Sequence, residues 1–591
     1  MIDGETVSIL TTLFVCRRGP ELGAVSVVIA KEENMSRGLS VSIVPRSAAV
    51  MLWVGILGGC EQPPREAAEP LDDVGSNQSG LHESSAGGPG DAESLADDDC
   101  GGGTPTAVTV DARAALAKFS SIAVGLNAAA WDGSLVHPEI PKLVRSAGVQ
   151  TLRYPGGSTS DNYHWLSNSA DDPNQGGTHP DSNFDAYMSV VKAARAESMI
   201  TVNYGSGTEQ EAADWVRYAN RGGPRYRGPV PTYPGASRKG HDYGIRYWEI
   251  GNELYGDGTY GAQWEVNRKP HDPTTYAQGV VSYSAAMKAV DPSIRIGVVL
   301  TAPGNWPDDQ ISGASPQPWN DTVLAIACDA VDFAVLHWYP QGPTGESDAA
   351  LLAAPEKGES TGVSYTPAIS DMVGTLKAKL TQYCGPHASA VSIMVTETNS
   401  VSYNPGKQTT SVVNALFLAD QLTTWFENGV TNVDWWALHN SPFDGNADPS
   451  LYGEYSFGDY GVLSAGFTSA GGAVEPPVDT PFPGYYALEM LSYLGHGAED
   501  TLIKTTSSSD LVGVHAVKQR NGRINVLLIN KDPSASHEVA LSLSGASSRG
   551  WASVHRYGAT DASITARRKA VRGPSFRVTL QPYSLVAVQL P

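Results

Sequence analysis

Met199-Ile200-Thr201-Val202-Asn203-Tyr204-Gly205-Ser206-Gly207-Thr208-Glu209-Gln210-Glu211-Ala212-Ala213-Asp214-Trp215-Val216-Arg217-Tyr218-Ala219-Asn220 sets a short apolar run, a glycine-bearing turn and an amphipathic stretch in succession. The run reads as a strand over 199–203 and the amphipathic stretch as a helix over 209–220. Outward from this unit, in both directions, the pattern repeats. Strands are predicted at 122–126, 151–153, 199–203, 246–251, 295–300, 332–337, 392–397 and 432–438. Helices fall between them at 138–147, 183–197, 209–220, 274–290, 322–328, 367–383 and 410–428. Gly148 suits the end of the first helix. Eight such units in one segment favour an α/β fold, a closed (β/α)8 TIM barrel over 104–482, with an open doubly wound sheet as the alternative.

After Pro483 the pattern changes to short strands with polar turns, at 512–517, 524–529, 537–543, 552–557, 577–580 and 585–589, with no helix among them. This predicts a C-terminal all-β sandwich over 483–591, to which 108–111 adds a strand. Its bland role is to brace the barrel.

The other end of the chain is different. Residues 47–59 form an apolar run preceded by Arg37 and Arg46, too short for a membrane span and suited to a secretory signal. Leu57-Gly58-Gly59-Cys60 resembles a bacterial lipobox, which predicts cleavage before Cys60 and a lipid anchor on it. A plain secretory signal is the other reading. The signal's depth in the chain points to Met35 as the start, so 1–60 is taken as extension and signal. Residues 61–103 are rich in Ser, Gly, Pro, Glu and Asp and lack the apolar content to offset their ordering entropy, which predicts a disordered tether. Of five cysteines, only Cys328 and Cys384 fall in the folded part, either as one disulfide in an oxidising compartment or as two core thiols. The expected location is therefore secreted or cell-surface, with contact to a membrane only through Cys60.

Asp and Glu number 62 against 40 Lys and Arg, a formal charge of -22. Such a chain repels nucleic acid and anionic lipid surfaces, which points to a neutral substrate; the other reading is that the acidity only keeps an exported protein soluble. The histidines lack metal-ligand spacing, and neither a phosphate-binding loop nor a G-x-S-x-G elbow is found. No metal and no cofactor is expected.

In a barrel of this kind the C-terminal strand ends face the active site. Strand four ends Trp248-Glu249-Ile250-Gly251-Asn252-Glu253 and strand seven ends Met394-Val395-Thr396-Glu397. A carboxylate on each would face the other across the barrel mouth, the pair that glycoside hydrolysis needs: Glu397 to attack the anomeric carbon, Glu253 to protonate the leaving oxygen and then activate water. Arg153 at the end of strand two would hold the nucleophile ionised. Tyr339, beyond His337 and Trp338 on strand six, would donate to it, and Asn252 would bind the sugar 2-hydroxyl. Trp131 after strand one, with Trp435, Trp436 and His439 closing strand eight, would offer rings for stacking on sugar faces.

These residues sit in recognisable motifs. Leu152-Arg153-Tyr154-Pro155-Gly156-Gly157 with Tyr163 and Trp165, the 202–208 and 211–220 segments, Tyr247 to Glu253, 287–294 and Gly484-Tyr485-Tyr486-Ala487-Leu488 together resemble the glycoside hydrolase family 51 α-L-arabinofuranosidases, within clan A of retaining barrels. The resemblance implies a barrel plus β-sandwich, two catalytic glutamates matching Glu253 and Glu397, supporting residues matching Arg153, Asn252 and Tyr339, and no cofactor. Three positions depart from it. Ser158 stands where the family has a sugar-binding Asn after Pro-Gly-Gly. The 125–131 segment has no acid where the family carries a sugar-binding Glu. Thr398 replaces the aromatic residue that follows the nucleophile. The catalytic pair is kept, but the sugar pocket differs.

Three readings follow. The first is an arabinofuranosidase-like retaining hydrolase of plant or microbial polysaccharide or oligosaccharide. The second is an endo-acting clan A glycanase on glucan or xylan, favoured by a long cleft lined by Trp131, Trp306 and Trp436. The third is a non-catalytic carbohydrate-binding surface protein, which has no need for a carboxylate pair.

Overall fold

The computed structural model describes residues 104–171, 177–256, 270–305, 317–360, 365–495 and 497–591. The predicted signal and lipobox at 1–60 with Cys60, the tether at 61–103 and Trp306 lie outside the described residues. Among the described residues no helix is long and apolar enough to cross a membrane.

Eight parallel strands close into a barrel: Val124–Asn127, Thr151–Tyr154, Glu197–Val202, Tyr247–Ile250, Arg295–Val299, Phe333–Trp338, Ser392–Thr398 and Asn432–Trp435. The last pairs with the first, Val433 beside Val124 and Trp435 beside Leu126, so the sheet has no free edge. This bears out the predicted TIM barrel and excludes the open sheet. Strand boundaries differ from expectation by a few residues because the apolar runs continue into the turns.

The quoted unit shows why the sequence folds this way. Thr208 caps the helix Glu209–Asn220 by accepting the Glu211 N–H, Glu209 and Glu211 occupy its first turn, and Arg217 its last, each complementing the helix dipole. Its apolar face buries Ala212, Trp215, Val216 and Ala219. Trp215 stacks on Trp165, from the loop after strand two, with ring centroids 5.9 Å apart. Gly148 ends the first helix, Ile140–Ser146, with φ 73°. The helices Trp319–Ala327 and Ile369–Cys384 are joined at their ends by a Cys328–Cys384 disulfide, Cα–Cα 5.4 Å, which settles the two readings of those cysteines.

The C-terminal strands between Thr501 and Gln589, with one strand from the start of the described residues, form one nine-stranded sheet. It folds over a core of its own, in which Val571 from one edge strand and Val578 and Leu580 from the other meet Val526, Leu541 and Val554. The strand expected to join the C-terminal sheet from 108–111 is present and longer, and the expected all-β segment is corrected at its start. Thr106–Lys118, at the start of the segment assigned to the barrel, is a sheet strand that runs parallel to His537–Ser544 and antiparallel to Thr501–Ser507. Pro483–Leu494, placed at the start of an all-β segment, is a helix. It packs between the barrel helix Val412–Glu427 and the sheet. The helix Asp348–Lys357 was also missed; Pro355 inside it breaks the usual pattern.

Val412–Glu427 is buried on every side because the sheet covers the face that a barrel helix normally gives to water. That burial extends to charge. Asp420 meets His515 Nε2 at 2.8 Å and Lys531 Nζ at 2.6 Å, and His515 Nδ1 lies 3.0 Å from Glu427. Each buried ion has a counter-ion, so the sheet is registered on the barrel by paired charge as well as by apolar contact.

Candidate active site

Arg153 organises the floor of the barrel mouth. It is buried, and its guanidinium donates to Glu249 Oε2 at 2.7 Å, Asn127 Oδ1 at 2.8 Å, Asn252 Oδ1 at 2.9 Å and Glu397 Oε2 at 3.3 Å. Burial disfavours its charge, but Glu249 and Glu397 outweigh this and hold it firmly protonated. Asn127 is fixed in turn by donating to the Thr396 and Trp435 carbonyls, and Glu249 accepts from the Thr201 hydroxyl at 2.7 Å. Glu249 and Asn127 were not singled out from sequence. A signal existed for Glu249: a carboxylate inside the buried run Tyr-Trp-Glu-Ile requires a buried cation.

Glu397 and Glu253 face each other above this floor. Tyr339 donates to Glu397 Oε1 at 2.7 Å. Burial raises the Glu397 pKa, His337 opposes the rise, Glu253 adds to it, and Arg153 and Tyr339 pull it back; the balance stays above the usual carboxylate range. Tyr339 is itself held protonated, by burial and then by the Glu397 charge, and so remains a donor. His337 stands between the two acids, its Nδ1 2.8 Å from Glu253 Oε1 and 3.8 Å from Glu397 Oε2. Tyr255 also donates to Glu253 Oε1, at 3.2 Å. One ligand atom each from Glu253, His337 and Glu397 lies within 4.8 Å of the others. Such a triad also suits a cation, although no metal site was expected. The fit is partial, because Arg153 already places a fixed positive charge against Glu397.

The turn that carries Glu253 has an unusual backbone. Glu253 adopts φ 50° and Gly251 φ 76°. A side chain at φ 50° costs on the order of 1 kcal/mol and persists where neighbours hold it. Asp161 is that neighbour. It is buried in the turn Gly157–Asn162, and its carboxylate accepts the Asn252 N–H at 2.9 Å and the Tyr204 N–H at 3.3 Å. A Cβ on Gly251 would press within 3.1 Å of Asp161 Oδ1, so glycine there serves both the φ and the approach. Burial raises the Asp161 pKa to about 7 against the backbone donors and Arg153. The Asp161→Asn variant leaves one acceptor oxygen for these donors. It should lower kcat about 10–100-fold on substrates with poor leaving groups, with KM little changed, because the acid/base loses its aim. Since the folded pKa exceeds the unfolded one, Asp161 contributes stability that is present below pH 3.8 and lost as pH rises through about 7. Melting temperatures across that window should therefore fall less steeply in Asp161→Asn than in wild type; parallel curves and unchanged kinetics would remove this role.

The rings at the mouth are Trp131 and Trp436, both half-buried and edge to face at 6.5 Å. A Cβ on Gly157 (φ 50°) would meet Trp436 at 2.8 Å, so the strand-two turn packs against this ring, and Ser158 follows directly, half-buried. Trp435 is a core residue against Phe417, and His439 is buried between Asp132 and Asp479 at 2.8 and 3.0 Å. Burial opposes the charge on His439, yet the two acids raise its pKa to about 9. The acid nearest strand one, Asp132, is thus engaged with His439.

No protein-family model matches the chain. An intracellular exo-α-(1→5)-L-arabinofuranosidase of Acetivibrio thermocellus is 29% identical over 216 residues, 34% of this chain and 38% of that protein. The α-L-arabinofuranosidase of Thermotoga maritima, solved with arabinose, superposes with a TM-score of 0.60 at 19% identity, over 82% of this chain and 99% of that one. The chain resembles α-L-arabinofuranosidases. This bears out the likeness read from the ordered motifs. A Paenibacillus polymyxa family 44 xyloglucanase has the same fold at a TM-score of 0.54 and 14% identity, over 82% of this chain and 99% of that one. The chain spans between 31% and 52% of the length of the curated relatives compared, so the likeness to arabinofuranosidases in sequence is regional, whereas the likeness in fold covers barrel and sheet together.

Proposed function

We propose that the protein is a retaining, arabinofuranosidase-like glycoside hydrolase acting on plant or microbial polysaccharide or oligosaccharide. The observation that carries this reading is the carboxylate pair: oxygens of Glu253 and Glu397 within 4.8 Å across the mouth, differently supported. A pair about 5–5.5 Å apart leaves no room for water behind the sugar and suits a double displacement, whereas inversion needs about 6.5–9.5 Å. Glu397, steadied by Arg153 and Tyr339, attacks the anomeric carbon and forms a glycosyl ester. Glu253 gives its proton to the departing oxygen, then takes one from the water that cleaves the ester and releases Glu397. Asn252 keeps Oδ1 on Arg153, and its Nδ2 has no partner among the described residues, so it is the donor for the 2-hydroxyl. Trp131 and Trp436 form the wall against which the sugar lies.

Ser158 and the lack of an acid in 125–131 favour a second reading, an endo-acting clan A glycanase, because two furanose-binding groups that the resemblance implies are replaced or missing, and the next acid, Asp132, is engaged by His439. The test is activity on an aryl α-L-arabinofuranoside beside other aryl glycosides and a panel of plant polysaccharides. Release from the arabinofuranoside supports the first reading. Silence there with oligosaccharide products from glucan or xylan supports the second, and no turnover of any glycoside overturns both. We further propose export with a lipid anchor at Cys60; the disulfide, which oxidising compartments favour, supports export. The mass of the Cys60 peptide reads the anchor directly, and an unmodified Cys60 removes it.

A further inference from the structure

The hairpin Ser548–Gly558 and Thr565–Gly573 runs against the charge of the whole molecule. Residues 539–580 hold seven Arg and Lys against one acid, Asp561, in a chain of charge -22. Two of the seven are neutralised: Arg556 by Asp561 at 2.7 Å and Arg577 by Glu538 at 2.6 Å. Arg549, Arg567, Arg568, Lys569 and Arg572 have no ion-pair partner among the described residues, and none is buried.

The strand pairing sorts them. Residues directly opposite in an antiparallel ladder share a face. Arg549 stands opposite Arg572, Trp551 opposite Ala570 and Ser553 opposite Arg568. Ala552, Val554 and Val571 point to the sheet core, so this set forms the outer face. At its far end, the helix Pro483–Leu494 covers it, with Tyr493 stacked on His555 at 3.8 Å. The remainder is open, and Trp551 there is 57% exposed. Like charges directly opposite destabilise a sheet, so Arg549 against Arg572 is a local cost with no internal compensation.

We propose that this face is a binding strip for an anionic polysaccharide, one bearing carboxylate or sulfate groups. Arginine forks pair with such groups through two parallel hydrogen bonds, and the exposed indole offers its face to a sugar ring. A planar anionic membrane fits less well. It would bring its potential against the acidic remainder of the molecule as well as the strip, whereas a flexible polymer touches the strip alone. The strip does not depend on the catalytic reading, because binding requires no turnover.

Binding of the full chain to polygalacturonate is compared with binding to its fully methyl-esterified form and to phosphatidylserine vesicles, from 50 to 300 mM salt. The expected result is retention by polygalacturonate that falls about tenfold or more over that range, with little retention by the esterified polymer or the vesicles. Arg549→Gln/Arg568→Gln/Arg572→Gln should weaken binding at least about tenfold and Trp551→Ala about threefold or more. In both variants any turnover of small aryl glycosides stays at the wild-type level; the melting temperature is unchanged in Trp551→Ala and unchanged or raised in the triple variant, where the Arg549–Arg572 repulsion is gone. Failure of wild type to bind polygalacturonate overturns the proposal. So does equal binding of the esterified polymer, a triple variant that binds as well as wild type, or capture by vesicles alone.

Discussion

Glu397→Ala is expected to reduce turnover by on the order of 10^5–10^6-fold, the scale of loss when a nucleophile is removed. The side chain is held by the Tyr339 hydroxyl at 2.7 Å and Arg153 at 3.3 Å, whereas the neighbouring carboxylates have other partners, Glu253 with His337 and Tyr255 and Glu249 with Arg153 and Thr201. Arg153 keeps Glu249, Asn127 and Asn252 after the change, so the floor of the mouth should remain folded. Unaltered circular dichroism and substrate binding with no turnover would place the loss in chemistry. Turnover near the wild-type rate would refute Glu397 as the nucleophile. The raised pKa of Glu397 adds a pH dependence. The attacking form is the ionised one, so kcat/KM should fall on the acid side at a pH above the ordinary carboxylate range. Tyr339→Phe removes a donor that favours ionisation and should move that limb further upward.

Glu253→Ala is expected to lose about 10^2–10^4-fold on substrates with poor leaving groups, the range that general acid–base catalysis supplies. A good leaving group needs no proton, so an aryl glycoside of low-pKa phenol should form the glycosyl ester at close to the wild-type rate. The second step then becomes slow, because no base activates water. Azide needs no base and should restore turnover, giving a glycosyl azide of retained configuration, since it enters from the face opposite Glu397. Absence of rescue together with uniform loss across leaving groups would assign Glu253 a supporting role. His337, at 2.8 Å, tests the same step: its removal should blunt the Glu253 effect without abolishing turnover.

The barrel was legible because its information is local. Each strand is a short apolar run and each helix an amphipathic one, so period alone identifies them. The helix Pro483–Leu494 was missed although its signal is local too. Its half-buried side, Tyr486, Glu489 and Tyr493, does recur at helical spacing, but the pattern covers only three turns and leads straight into a run of strands. Glu253, Glu397, Arg153, Asn252, His337 and Tyr339 could be named because strand ends in a barrel converge on one mouth. Their supporting partners could not. Asp161 lies 91 residues from the Asn252 backbone it holds, and Asn127 lies 26 from the guanidinium it orients. A sum of charges over the whole chain hides a hairpin of opposite sign, whose strands must pair before Arg549 meets Arg572. By itself, then, the sequence determined which elements form and which side chains reach the mouth, because those follow from residue type and period along the chain. Only the tertiary structure decided which groups neutralise, aim and pack against one another, because these depend on distances between segments far apart in sequence, and burial makes each such contact decisive.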